Sequence, residues 1–110
     1  MKFRSLTLAS LAACAALACP PLWAQGDPLA GKQKNAMCAG CHGIEGFRTA
    51  YPEVYSVPKI GGQSETYIIN ALKAYKAGER SHPSMVGIAA SLNDQDMADL
   101  AAYYAQQGKK

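Results

Sequence analysis

The sequence predicts a small all-α domain, with three main helices joined by two long loops. Three observations carry that prediction. Apolar residues recur at helical spacing after Ser64 and again after Asn93, and no segment alternates as a strand would. A length of 110 residues suits one domain, and 49% hydrophobic with 17% charged residues is a globular composition. With only two Phe and one Trp the core is small, so a cofactor, metal or disulfide would help hold it together.

Residues 1–24 read as a secretory signal. Lys2 and Arg4 form a positive start, Leu6 to Ala18 is apolar, and Pro20-Pro21 breaks the run before a cut expected after Ala24. That apolar stretch is too short to span a bilayer. The remaining domain, residues 25–110, keeps nine basic against eight acidic residues. A net charge near +1 gives no electrostatic support for nucleic-acid binding. No other apolar run has the length of a membrane helix, so the exported chain is expected to be soluble and periplasmic.

The first helix starts at Asp27-Pro28, Asp as cap and Pro in the first helical position, and runs through Ala30, Gly31 and Ala36 toward Cys38. The second follows Ser64, with Tyr67, Ile68, Ala71, Leu72 and Tyr75 on one face, and stops at Gly78. The third opens at Asn93, carries Asp94 and Asp96 in its first turn, and buries Met97, Leu100, Ala101 and Tyr104 before Gly108. Residues 43–63 and 78–92 are expected to be loops. Loops this long need something to organise them, and a large flat apolar ligand would do so.

Cys14 and Cys19 leave with the signal, so Cys38 and Cys41 are the only thiols of the exported domain. They sit in Cys38-Ala39-Gly40-Cys41-His42, the C-x-x-C-H attachment pattern of a c-type haem. Two thiols about one turn apart reach the two vinyl groups of one porphyrin, and the adjacent His42 then lies under the iron. A thioredoxin-like redox pair would need a βαβ context, which is missing. A Cys2His2 zinc site would need His82 as a fourth ligand and a strained Cys41-His42 pair.

Beyond this motif the chain resembles a class I c-type cytochrome of the small single-haem bacterial type, similar to one half of the two-haem periplasmic cytochromes c. Ala30-Gly31-Lys32 leading to Cys38–Gly43 resembles the family's opening. Val57-Pro58-Lys59-Ile60-Gly61-Gly62-Gln63, Tyr67 to Gly78, Met85 to Ala89 and Leu92 to Tyr104 continue the likeness. Residues 44–56 fit it least. The resemblance implies one covalent haem c with thioethers at Cys38 and Cys41, and axial ligation by His42 and Met85. It also implies a Pro58 carbonyl that orients His42, and a crevice lined by Ile60, Tyr67 and Leu72. Gly31 and Tyr104 would mark the crossing of the first and last helices.

The residues support Met85 on separate grounds. Met37 abuts the attachment motif and Met97 lies on an apolar helix stripe, whereas Met85 sits in a loop long enough to reach the opposite face. His82, three residues earlier, is the rival sixth ligand or a distal group; followed by Pro83, it otherwise belongs on the loop surface. Lys32, Lys34, Lys59, Lys73, Lys76 and Arg80 read either as a docking rim or as solvated helix faces.

An iron held by His and Met has both axial positions filled, and no carboxylate pair, nucleophile–base set or phosphate loop offers other chemistry. The expectation is an electron carrier in a respiratory chain, not an enzyme. Its partners would be a redox donor and acceptor, such as a dehydrogenase, a cytochrome bc complex or a terminal oxidase or reductase. Two alternatives stand beside it: the haem subunit of a periplasmic dehydrogenase and, if Met85 does not ligate, a gas- or peroxide-reactive haem protein.

Overall fold

The computed structural model describes residues 25–51 and 54–108, so the expected signal segment and its cleavage site lie outside the described residues. Five helices follow one another: α1 (Pro28–Lys34), α2 (Ala36–His42), α3 (Glu65–Ala77), α4 (Pro83–Ala90) and α5 (Asp94–Gln106). Among the described residues no strand forms, and one isolated antiparallel bridge joins Arg48 to Ser56.

The caps act as the sequence suggests. The Asp27 carboxylate accepts the Leu29 N–H at 2.9 Å, and the Ser64 hydroxyl accepts the Tyr67 N–H at 3.1 Å. Asn93 and Asp96 form a reciprocal capping box at 2.8 and 3.1 Å. Gly78 ends α3 at φ +79°, a left-handed turn where its N–H meets the Ala74 and Tyr75 carbonyls.

Two elements differ from expectation. The first helix is two: Asn35 separates α1 from α2, and its carbonyl accepts the N–H groups of both Cys38 and Ala39, at 2.9 and 2.8 Å. Residues 83–90, expected to be loop, form α4. Pro83 occupies its first turn and His82 caps it. The helix is apolar almost all round, so its eight residues show no stripe for a periodicity argument to find.

Helix α5 is the centre of the packing: α1 and α3 lie against it, and α4 lies against α3. The core is Ile68, Leu72, Leu92, Met97, Leu100, Ala101 and Tyr104, with Met97 wholly buried as a core side chain. At the α1–α5 contact Gly31 lies directly over the Asp99 carbonyl, where a Cβ would meet the oxygen at 2.1 Å and the Tyr103 Cβ at 2.7 Å. The expected crossing is therefore real on the α1 side but is met by Asp99 and Tyr103. Tyr104, one residue on, interacts with Asn35 and Cys38.

Beside this contact the buried Asp99 accepts the Asp27 N–H and the Gln95 amide, each at 2.8 Å, and the Lys34 ammonium at 2.7 Å. Burial opposes its ionisation, but these donors outweigh burial and hold the carboxyl below the usual carboxylate range.

Candidate functional site

The attachment motif occupies α2, so Cys38 and Cys41 stand three residues apart on one helical face. Both are half-buried, and they form no disulfide with each other. Burial pushes the Cys38 thiol up, against a smaller opposing effect of its contact with Tyr104. Burial likewise pushes the Tyr104 phenol up to about 12.

His42 ends α2. Its Nδ1–H donates to the Pro58 carbonyl at 2.7 Å, which fixes the tautomer and leaves the Nε2 lone pair available. Pro58 belongs to the segment between α2 and α3. That segment doubles back through Thr49 N–H to Tyr55 O (2.9 Å) and Val57 N–H to Phe47 O (3.0 Å), then reaches α5 through Gly62 N–H to Tyr104 O (2.8 Å). It is a strap laid across the end of α2, and its described residues 44–51 and 54–56 belong to the stretch that fits the family resemblance least.

His42 and Met85 line one cavity of about 300 Å³, approaching from α2 and α4. Cys41, Pro58, Ile60, Tyr67 and Leu72 line it too. Cys38 lines a smaller adjoining space of about 40 Å³ with His42, Leu72 and Met85. All eight residues singled out from the sequence thus converge, although Leu72 is buried in the core and Tyr67 is 52% exposed. The larger cavity is within the size range of small-molecule sites.

Other lining residues include two that the sequence singles out for other roles, Arg80 and His82, and two from the strap that it does not. Thr49 and Tyr55 come from the strap, and Arg80 and His82 from the approach to α4. His82 is half-buried rather than on a loop surface. Its Nδ1 accepts the Met85 N–H at 3.5 Å, and its ring lies 4.6 Å from that of Tyr55. The one available clue was Pro83, which marks the preceding residue as a helix cap.

The cations divide. Lys34 pairs with Asp96 and Asp99, Lys59 with Glu45, and Lys73 with Asp94 at the 4.0 Å limit, while Lys76 donates to the Leu92 carbonyl. Arg80 lies over the Tyr75 ring at 4.7 Å. These contacts favour helix-face chemistry over a continuous cationic rim. Lys59 and Arg80 line the cavity, and its described lining holds no carboxylate.

The donor set is two thiols, an imidazole with a fixed tautomer and a thioether, around an apolar cavity with cations at its edge. It fits a haem, with its two vinyls, its iron and its two propionates. Among the described residues no group of three or more His, Cys, Asp or Glu side chains is placed to hold a metal ion, which leaves the Cys2His2 arrangement unassembled.

The cytochrome c family model matches residues 29–107, from the first turn of α1 to the residue after α5. The chain belongs to the cytochrome c family. Its cofactor is covalently bound haem c, and its fold is the all-α cytochrome c fold. Cytochrome c4 of Pseudomonas aeruginosa is 42% identical over 84 residues, 76% of this chain and 40% of that protein. Cytochrome c-554(548) of Halomonas halodenitrificans is 41% identical over 85 residues, 74% of this chain and 98% of that one. Among solved structures, reduced recombinant cytochrome c4 from Pseudomonas stutzeri superposes with a TM-score of 0.60 at 37% identity, over 74% of this chain and 46% of that one. This cytochrome c chain spans about 40% of the length of the Pseudomonas aeruginosa relative and nearly the whole of the Halomonas one.

Proposed function

We propose that this cytochrome c domain is a periplasmic one-electron carrier. Thioethers at Cys38 and Cys41 would hold the haem, and His42 and Met85 would be its axial ligands. The observation that supports this most is that His42, its Nδ1 tied to Pro58, and Met85 line one cavity. When bound, the haem supplies an iron that gains and loses one electron.

The chain's own side chains do the rest. The Pro58 carbonyl orients His42 and makes its ring more electron-rich. Leu72, Ile60 and Ile68 give the cavity an apolar wall. The Met85 thioether, as the second iron ligand, would favour the reduced state relative to a second imidazole and would leave no vacancy for oxygen or peroxide. Electron transfer to and from redox proteins, without a substrate reaction of its own, follows from that closed arrangement. Export to the periplasm rests on residues 1–24 and on the haem-attachment motif. Among the described residues no helix is long and apolar enough to cross a membrane.

The test is ligation. Holoprotein from a host that attaches haem c should keep its haem through acid–acetone extraction. Its ferric form should show the weak red absorption band of methionine-sulfur ligation. Met85→Ala should abolish that band and Met97→Ala should keep it; the opposite pattern overturns the assignment. Rapid carbon monoxide binding by the ferrous protein at neutral pH would overturn the carrier function.

A further inference from the structure

We infer that His82, steadied by Tyr55, is a positioning residue that holds Met85 toward the cavity. The inference rests on Met85 being the sixth ligand. Three contacts carry it. His82 caps α4 in extended backbone, φ −158° and ψ 115°, and its Nδ1 accepts the N–H of Met85 itself at 3.5 Å. The N–H groups of a first helical turn have no partner within the helix, so this contact satisfies one that would otherwise be open. The His82 ring also packs against Tyr55, with centroids 4.6 Å apart and planes at 57°. Both rings line the cavity that Met85 lines.

The choice of residue is informative. Ser, Thr, Asn or Asp would cap an eight-residue helix at least as well, and each is preferred there. What histidine adds is a flat ring that reaches the strap. Pro83 fixes the backbone immediately after His82, and helical Ser84 is the one residue between it and Met85. The strap that supplies Tyr55 also supplies Pro58, whose carbonyl holds His42. One segment therefore steadies both axial side chains, His42 directly and Met85 through His82.

A cap removed without replacement costs about 1 kcal/mol, which corresponds to about a fivefold change in an equilibrium. The experiment is capture of added imidazole by the ferric holoprotein at neutral pH, at saturating imidazole and well below the melting temperature. The rate there reports detachment of the thioether, and the red band reports its presence. His82→Ala should raise the limiting rate about fivefold. His82→Asn, which restores a cap acceptor, should return it to within about twofold of the parent. Tyr55→Leu, at a partly exposed position, keeps the cap and should raise the rate about twofold through the lost ring contact.

Parental rates in His82→Ala and Tyr55→Leu would overturn the proposal, as would His82→Asn detaching as fast as His82→Ala. If His82→Ala fails to mature, Tyr55→Leu decides: a raised rate supports the proposal and a parental rate overturns it. A red band that survives Met85→Ala would refute the ligand assignment itself. A band lost in Met85→Ala together with a parental rate in His82→Ala would refute only the role of His82.

Discussion

Replacing Gly31 with alanine should loosen the join between the first and last helices. The added methyl would lie 2.1 Å from the Asp99 carbonyl oxygen, 2.7 Å from its carbon and 2.7 Å from the Tyr103 Cβ. Ordinary contact needs α1 and α5 to separate by roughly 1 Å or more. Two of the three obstructing atoms are backbone and cannot rotate away, so the cost lies near the top of the overpacking range of about 1–3 kcal/mol. Alanine's better helix propensity offsets about 1 kcal/mol of that. The net loss is about 2 kcal/mol, or a melting temperature about 8–16 °C lower for a domain of this size. Thermal unfolding of the holoprotein by far-ultraviolet circular dichroism measures it. Gly40→Ala is the control: it is also helical, but its Cβ meets nothing within 4 Å, so it should melt at or above the parent. Gly31→Ala melting with the parent would refute the close-approach argument.

Two further variants test the frame around the site. Ser64→Ala removes the hydroxyl that caps α3 and should cost about 1 kcal/mol in thermal unfolding while leaving the red band in place. Asp99→Asn should destabilise the holoprotein at neutral pH, because it removes the charge pair with Lys34 and turns an NH2 donor toward that ammonium, while the amide oxygen can still accept the Asp27 N–H. Because the folded carboxyl sits below its ordinary value, its contribution is complete above the unfolded carboxylate pKa of about 3.9 and is lost as pH falls through the folded value. The gap between the two proteins should therefore close in acid-unfolding curves only below about pH 4, and a gap independent of pH would sink this explanation.

What the sequence displays is what lies close together along it. The caps at Asp27, Ser64 and Asn93, the stop at Gly78 and the stripe ending at Tyr104 are local chemistry, and each places a helix correctly. Cys38 to His42 is contiguous, so three of the eight converging residues are visible in five letters. Helix α4 escapes because Met85, Val86, Ile88 and Ala89 surround it with apolar groups and no polar face contrasts with them. Asn35 escapes because a single residue with its ψ near zero breaks no pattern. Asp99 lies among apolar residues of α5, and its partners Asp27 and Lys34 are 72 and 65 positions away, beyond any local rule. The convergence of Pro58 and Met85 on His42's cavity is likewise a product of the turns that the strap and α4 make.

The pairing of α1 with α5 also sets an order of events. Asp27 and Asp99 are 72 positions apart, so the first helix has nothing to dock on until α5 exists. Until α5 docks, the segment carrying Cys38 and Cys41 lacks the scaffold that Cys38 packs against in the folded domain. During that interval both thiols are carried by a seven-residue helix, too short to persist alone in water. An exported chain would thus offer the attachment motif to haem while the receiving segment is still pliable, with the docking of α5 completing the domain. Contacts made last over such long separations are slow to form, which lengthens that interval.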